Sequence, residues 1–305
     1  MSDLRQALDD YLAVRRALGF QLRGYDRFLG DLVSDLERAQ ARAVTTELAV
    51  AWATKPTGVH LFRYKSRLSI ARGFARYMQT IDADTQVPPS NLLAFRPRAR
   101  PAPYLYSAAE IDALLQATDT LRPVLRAATY RTLLGLLAVT GMRVGEAIAL
   151  DRNDVDLRER RLVIREAKTA TRQLPLHPSS AQELDAYARR RDQLCRAPKT
   201  PSFLVSTAGT RPIYECVRET FLKLRATAGL DRDRPGPRIH DLRHTFAVQT
   251  LLEWHRADVD VAARLPLLSA WLGHRHPAST YYYLQAAPEL LALAAQRLPD
   301  LGART

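Results

Sequence analysis

Between positions 87 and 103 the chain reads Val-Pro-Pro-Ser and then, from Arg96, Arg-Pro-Arg-Ala-Arg-Pro-Ala-Pro, five prolines and three arginines. Proline fixes φ, lacks a backbone N–H and pushes the preceding residue out of helical conformation, so neither a helix nor a central strand crosses this stretch. The 305 residues therefore fold in two pieces, each long enough for its own apolar core. The expected division is 1–96, a stiff basic linker over 97–103, and 104–305.

The N-terminal piece reads as helices. Ser2 precedes a set at helical spacing (Leu4, Leu8, Tyr11, Leu12, Leu18), with Gly19 as its stop. Tyr25, Phe28, Leu29, Leu32, Val33 and Leu36 form a second set, and Thr45 or Thr46 opens a third through Trp52. A fourth helix, about 59–80, sets Leu61, Phe62, Leu68, Phe74 and Tyr77 against Arg63, Lys65, Arg67, Arg72 and Arg76. Five cations without an acid suit a phosphate backbone, although a solvated helix face gives the same pattern. Arg63, Arg67 and Arg72 are the candidate contacts to such a phosphate backbone.

The second piece restarts at a capping box, Ser107 with Glu110, and continues into a long apolar helix over 122–139 stopped by Thr140-Gly141. The stretches 161–166 and 172–176 read as strands flanking a turn at 168–171. From Ser179 on the pattern is mostly helical, apart from the apolar run 203–206.

The chain carries 45 Lys and Arg against 32 Asp and Glu, a formal charge of +13. Up to Arg100 there are 16 basic and 10 acidic residues, and after it 29 and 22, so both pieces are basic and both can meet one polyanion. No apolar run approaches membrane-spanning length, and residues 1–11 have no secretory h-region. Cys195 and Cys216 alone make no disulfide framework. A cytoplasmic, nucleoid-associated protein without a membrane partner is the expectation. No GxxxxGK[ST], GxGxxG or GxSxG is present, which removes the usual signatures of nucleotide-driven chemistry and of a serine-hydrolase elbow.

Three short motifs stand out. In Thr140-Gly-Met-Arg143-Val-Gly-Glu146, arginine and glutamate share one helix face, which by itself is only an ion pair. In His240-Asp-Leu-Arg243-His244, His240 and Arg243 can converge on one ligand. His240 and His244 also have metal-ligand spacing, yet the glutamate of an HExxH zinc helix is missing. Leu272-Gly-His274 is followed by three tyrosines, Tyr281, Tyr282 and Tyr283, which alone read as packing or as an exposed aromatic patch.

Taken together, in this order and spacing, these motifs resemble the tyrosine recombinase (phage integrase) family. That family carries an arginine in a TGxRxxE helix, a lysine in a β-hairpin, HxxR, and LGH followed nine residues later by a nucleophilic tyrosine. The matching positions are Arg143, Lys168, His240, Arg243, His274 and Tyr283. Arg264-Leu-Pro-Leu-Leu-Ser-Ala-Trp-Leu-Gly-His274 also resembles a subgroup carried by transposon-like mobile elements. Tyrosine at 281 and 282 departs from the pattern, so spacing selects Tyr283 and leaves Tyr282 as the alternative.

The resemblance implies a mainly α fold with a small antiparallel β-sheet. A helical core-binding domain would form the DNA clamp, followed by an α+β catalytic domain ending in a helix at about 288–298. It also implies DNA cleavage and religation through a 3′-phosphotyrosyl link, with neither metal nor ATP, and no cofactor. Two guanidiniums, Arg143 and Arg243, would bind the non-bridging oxygens. His240 would take the phenolic proton, and Lys168 would protonate the departing 5′ oxygen. His274 would hydrogen-bond the phosphate, with Glu146 orienting the arginine and histidine side chains. The implied partners are a double-stranded recombination site, further copies of the chain in a tetramer on DNA, and accessory recombinases of the same element. The tail helix, with Leu290, Leu291, Leu293 and Leu298, would dock either on its own domain or on a neighbour. Competing readings are a type IB topoisomerase-like relaxase, a DNA-binding protein with decayed machinery, and a metal nuclease built on His240, His244, His274 and His276.

Overall fold

The computed structural model describes residues 4–20, 22, 24–93, 103–165, 171–231, 236–274, 276 and 278–286. The chain divides into two compact units, Met1–Arg100 and Pro101–Thr305.

The first unit holds α1 (Leu4–Ala17), α2 (Tyr25–Arg38), α3 (Thr46–Thr54) and α4 (Leu61–Met78). Its core joins Leu29, Leu32 and Leu36 of α2 to Trp52, Leu68, Phe74 and Met78, all nearly inaccessible. Thr45 caps α3 by accepting from the Leu48 N–H at 3.2 Å. Leu18 lies beyond the end of α1 and is exposed, as are Leu61 and Phe62 at the start of α4. These three do not belong to the apolar faces read from the sequence.

The buried stripe of α4 runs Arg67, Leu68, Ala71, Phe74, Ala75 and Met78. Arg67 is therefore a core residue. Its guanidinium lies 4.0 Å from the Trp52 ring centroid and donates to Trp52 O at 3.0 Å, with Asp31 at 3.4 Å. Burial removes it from the candidate DNA contacts. Arg72 is half-buried, donating to the Pro88 and Pro89 carbonyls at 2.7 and 3.0 Å, so it ties the following segment to α4. Arg63, Lys65 and Arg76 are exposed.

The second unit opens with α5 (Ala108–Ala117), whose Ser107–Glu110 capping box is present, and α6 (Val124–Thr140). Leu133, Leu134, Leu136 and Leu137 are all buried, so α6 is covered on most sides and forms the central helix of this unit. After α7 (Val144–Ala149) come β1 (Val155–Asp156), β2 (Arg161–Ile164) and β3 (Arg172–Pro175). They form an antiparallel sheet in the order β1-β2-β3, with Leu162 opposite Leu174 and Ile164 opposite Arg172. The two-residue β1 has no alternating pattern long enough to be read from sequence. Leu162, Ile164 and Leu174 face the core, which places Arg172 on that same inward side.

Next come α8 (Pro178–Leu194), α9 (Tyr214–Thr227), α10 (Asp241–Arg256), α11 (Val261–Leu272) and α12 (Ala278–Ala286). A second cluster packs Val248 and Leu251 of α10 on Leu268 and Leu272 of α11 and on Tyr283 of α12. The 203–206 run lies beside the segment that follows α7, with Ser202 bridging Asp151, the Phe203 N–H donating to Leu150 O at 2.8 Å, and Phe203, Leu204 and Val205 buried. The fold is thus mainly helical with one small antiparallel sheet. Among the described residues no helix is long and apolar enough to cross a membrane.

Candidate active site

Two helix C-termini build the site. α6 ends at Gly141 with φ +62°, and α11 ends at Gly273 with φ +65°, both in the left-handed region where a side chain is disfavoured. A Cβ on Gly141 would also sit 2.4 Å from the Phe246 ring. Trp271 Nε1 donates to Thr140 O at 2.8 Å and joins the two helix ends.

Arg243 is 3% exposed and fits between those ends. Its Nη1 donates to Gly141 O at 2.9 Å and its Nη2 to Leu272 O at 2.7 Å. Two carbonyls facing each other across the guanidinium fix its plane. Arg143 precedes α7 and reaches Gly273 O at 2.8 Å, while its Nη1 donates to Glu146 Oε1 at 2.6 Å. Glu146 Oε2 accepts the backbone N–H of Arg143 at 2.8 Å, so the carboxylate grips both ends of one arginine. The TGxRxxE spacing is the spacing this grip requires.

His240 sits at the mouth of the site, immediately before α10. Burial by neighbouring groups lowers its pKa, and the Arg243 charge lowers it further. His244, one turn on, meets the His240 ring edge to face with centroids 4.9 Å apart. Burial, then His240, pushes His244 down to about 4. His274 is likewise lowered to about 4, by burial first and then by Arg243 and Arg143. All three imidazoles are therefore neutral at pH 7. His274 Nδ1 is 2.7 Å from Thr280 Oγ1.

The three tyrosines part company on α12. Tyr281 is 53% exposed, whereas Tyr283 is 3% exposed. The Tyr283 ring stacks on His274, contacts His244 at 5.5 Å between centroids, and its hydroxyl interacts with the Arg243 guanidinium. Tyr282 packs against both His244 and Tyr283.

Arg143, Glu146, His240, Arg243, His274 and Tyr283 thus surround one site. Lys168 and the 288–298 segment lie outside the described residues. Among the described residues no three His, Cys, Asp or Glu side chains group as a metal site would need. Sequence reading missed Arg172, Trp271 and Thr280, and took His244 only as a candidate metal ligand. His244 carried a signal, since it lies one turn after His240 on the same helix.

The sequence profile of the phage integrase family matches residues 105–289, a span that contains all of these residues. The chain belongs to the phage integrase family, the tyrosine recombinases. A Sinorhizobium fredii protein named as an integrase/recombinase, y4rB, is 43% identical over 307 residues and covers 98% of each chain. Tyrosine recombinase XerD of Pseudomonas putida is 30% identical over 243 residues, 76% of this chain and 74% of its own. The Tn1549 transposon integrase, solved with circular intermediate DNA, superposes with a TM-score of 0.66 at 16% identity, covering 96% of this chain and 99% of that one. The chain is a site-specific tyrosine recombinase, an enzyme of DNA cleavage and religation.

Proposed function

We propose that the chain recombines double-stranded DNA on a mobile element through a covalent link between Tyr283 and a 3′-phosphate. One observation carries the choice of nucleophile: of three successive tyrosines, only Tyr283 is buried against Arg243 and stacked on His274.

In this reading Arg143 and Arg243 hold the non-bridging oxygens of the scissile phosphate, where negative charge builds in the transition state. Their planes are already set by main-chain carbonyls, so little reorganisation accompanies reaction. His240, neutral at working pH, accepts the phenolic proton as Tyr283 Oη attacks phosphorus. The bond from phosphorus to the 5′ oxygen breaks, and Lys168 supplies the proton that leaves with that oxygen. The Thr280 hydroxyl, 2.7 Å from Nδ1, holds the His274 ring, and in the tautomer with its proton on Nε2 that nitrogen donates to the phosphate. The covalent link conserves the phosphodiester bond energy, so a new 5′ hydroxyl reverses the step without metal or ATP.

Exchange of four strands calls for a tetramer on paired sites, with accessory recombinases of the same element as further partner candidates. In the first unit, Arg63, with Lys65 and Arg76, offers exposed charge to the DNA backbone. Residues 1–96 would act as the clamp, 97–103 as linker and 104–305 as the catalytic domain.

The test uses full-length protein in EDTA with a nicked suicide duplex built from the DNA flanking its own coding sequence. A covalent protein–DNA band that disappears in Tyr283→Phe supports the reading. A band that persists in Tyr283→Phe moves the nucleophile to Tyr282 or Tyr281. A band that forms only after magnesium is restored overturns metal-free cleavage.

A further inference from the structure

Five carbonyls at the end of α11 all have partners, supplied from four directions. Ser269 O and Ala270 O accept the backbone N–H groups of His274 and Gly273. The next three in sequence each receive a different guanidinium: Arg172 Nε at Trp271 O (3.0 Å), Arg243 Nη2 at Leu272 O (2.7 Å) and Arg143 Nη2 at Gly273 O (2.8 Å). A helix C-terminus carries partial negative charge and unsatisfied carbonyls, so cations are favoured there. Two of these three arginines are those placed on the phosphate above. The third belongs to neither the TGxRxxE nor the HxxR pattern.

Arg172 also reaches back to the first motif. Its Nη2 donates to Glu146 Oε2 at 2.7 Å, the oxygen that accepts the Arg143 backbone N–H, and the two side chains are 12% and 8% exposed. Glu146 is therefore held between two arginines, and the carboxylate that fixes the Arg143 guanidinium is itself fixed by Arg172. Charge matters as well as geometry. Arg143 with Glu146 alone is formally neutral, whereas adding Arg172 leaves the trio at net positive charge beside the phosphate site. An arginine on the inward face of a strand costs desolvation unless it is well hydrogen-bonded, and here Glu146 and Trp271 O, two of its partners, lie beside Arg143 and Arg243.

Resting on the recombinase reading above, we propose that Arg172 is a positioning residue for strand cleavage. It locks Glu146 and the α11 C-terminus so that Arg143 meets the phosphate in a single orientation. β3 begins at Arg172, four residues after Lys168 in sequence, so the same arginine anchors the strand that follows Lys168 to the arginine site.

The experiment measures single-turnover cleavage of the nicked suicide duplex at saturating protein, alongside DNA affinity and the thermal midpoint. Variants are Arg172→Gln, Arg172→Lys, Glu146→Gln and the Arg172→Gln/Glu146→Gln double. Wild-type cleavage tests the recombinase reading by itself; the variants are compared only against a cleaving wild type. Arg172→Gln is expected to slow cleavage about 30-fold, the scale of a small misplacement at the reacting centre, with affinity changed less than about 3-fold. Arg172→Lys keeps the charge but cannot bridge carboxylate and carbonyl as a fork, and falls between the two. In the Glu146→Gln background, Arg172→Gln should add less than about 3-fold, because the effect runs through that carboxylate. Wild-type cleavage by a folded Arg172→Gln, or rate losses that simply multiply in the double variant, overturns the proposal. Should Arg172→Gln fail to fold, a folded Arg172→Lys decides the matter, and a wild-type rate from it overturns the proposal equally.

Discussion

His274 is held by Thr280 at 2.7 Å and stacks on Tyr283 with ring planes 20° apart, so one imidazole spans a helix turn that ends at the proposed nucleophile. Thr280 is 2% exposed and lies on α12 three residues before Tyr283. The LGH histidine thus contacts α12 at both Thr280 and Tyr283.

Replacing Thr280 with valine keeps shape and volume but removes the hydroxyl, freeing the His274 ring to rotate or change tautomer. Cleavage of the suicide duplex should fall about 10-fold, with DNA affinity unchanged, as expected when a positioned proton donor is lost. Equal cleavage by Thr280→Val and wild type would show that the hydrogen bond does not orient His274.

Gly141 tests the helix-end construction. Alanine there meets a φ of +62° and a Cβ position 2.4 Å from the Phe246 ring. The left-handed penalty and overpacking together should destabilise the fold by about 2–4 kcal/mol. Urea unfolding reads that loss directly. A stability within experimental error of wild type would mean that Phe246 and the turn adjust freely.

Much of this site was legible because its geometry is local in sequence. Arg143 and Glu146 stand three residues apart and Gly141 stops its helix, so spacing brings out that pair and that cap, while the cap at Gly273 was not read. Arg172 was not legible, because an isolated arginine on a short strand reads as solvent-facing until the core-facing side of the sheet is known. Arg67 had a signal that went unused. It stands four, seven and eleven residues before Ala71, Phe74 and Met78, which places it on the buried stripe once small apolar residues are counted. Leu61 and Phe62, large and apolar, widened the apolar face read for α4 beyond the buried stripe that Leu68 and Phe74 share.

The lowered histidines set a pH dependence. His244 and His274 have pKa values near 4 in the folded chain against an ordinary 6.5. Between those values the unfolded chain binds protons that the folded one refuses, so stability is intact above about pH 6.5 and declines as pH falls toward 4. His244→Gln/His274→Gln should flatten that decline, read as the thermal midpoint against pH. His240 is lowered in the same sense, mainly by burial, so the acidic limb of the cleavage profile should lie below 6.5 wherever the protein remains folded. A limb centred above 6.5 would argue against His240 as the base.

Arg63 and Arg67, one turn apart on α4, should behave as opposites. Arg67 lies in the core on Trp52, with its Nε buried and without a partner. Arg67→Ala should lose about 2–4 kcal/mol of stability through lost packing and the broken Asp31 pairing. Arg67→Met fills the same volume without a buried charge and should lie within about 1 kcal/mol of wild type. Arg63→Ala should leave the thermal midpoint unchanged and reduce the salt slope of DNA binding by about 1, the signature of one lost phosphate contact. The check is a titration of labelled duplex at several salt concentrations beside a thermal melt. A reduced slope in Arg67→Met at unchanged stability would return Arg67 to the DNA surface, and an unchanged slope in Arg63→Ala would remove Arg63 from it.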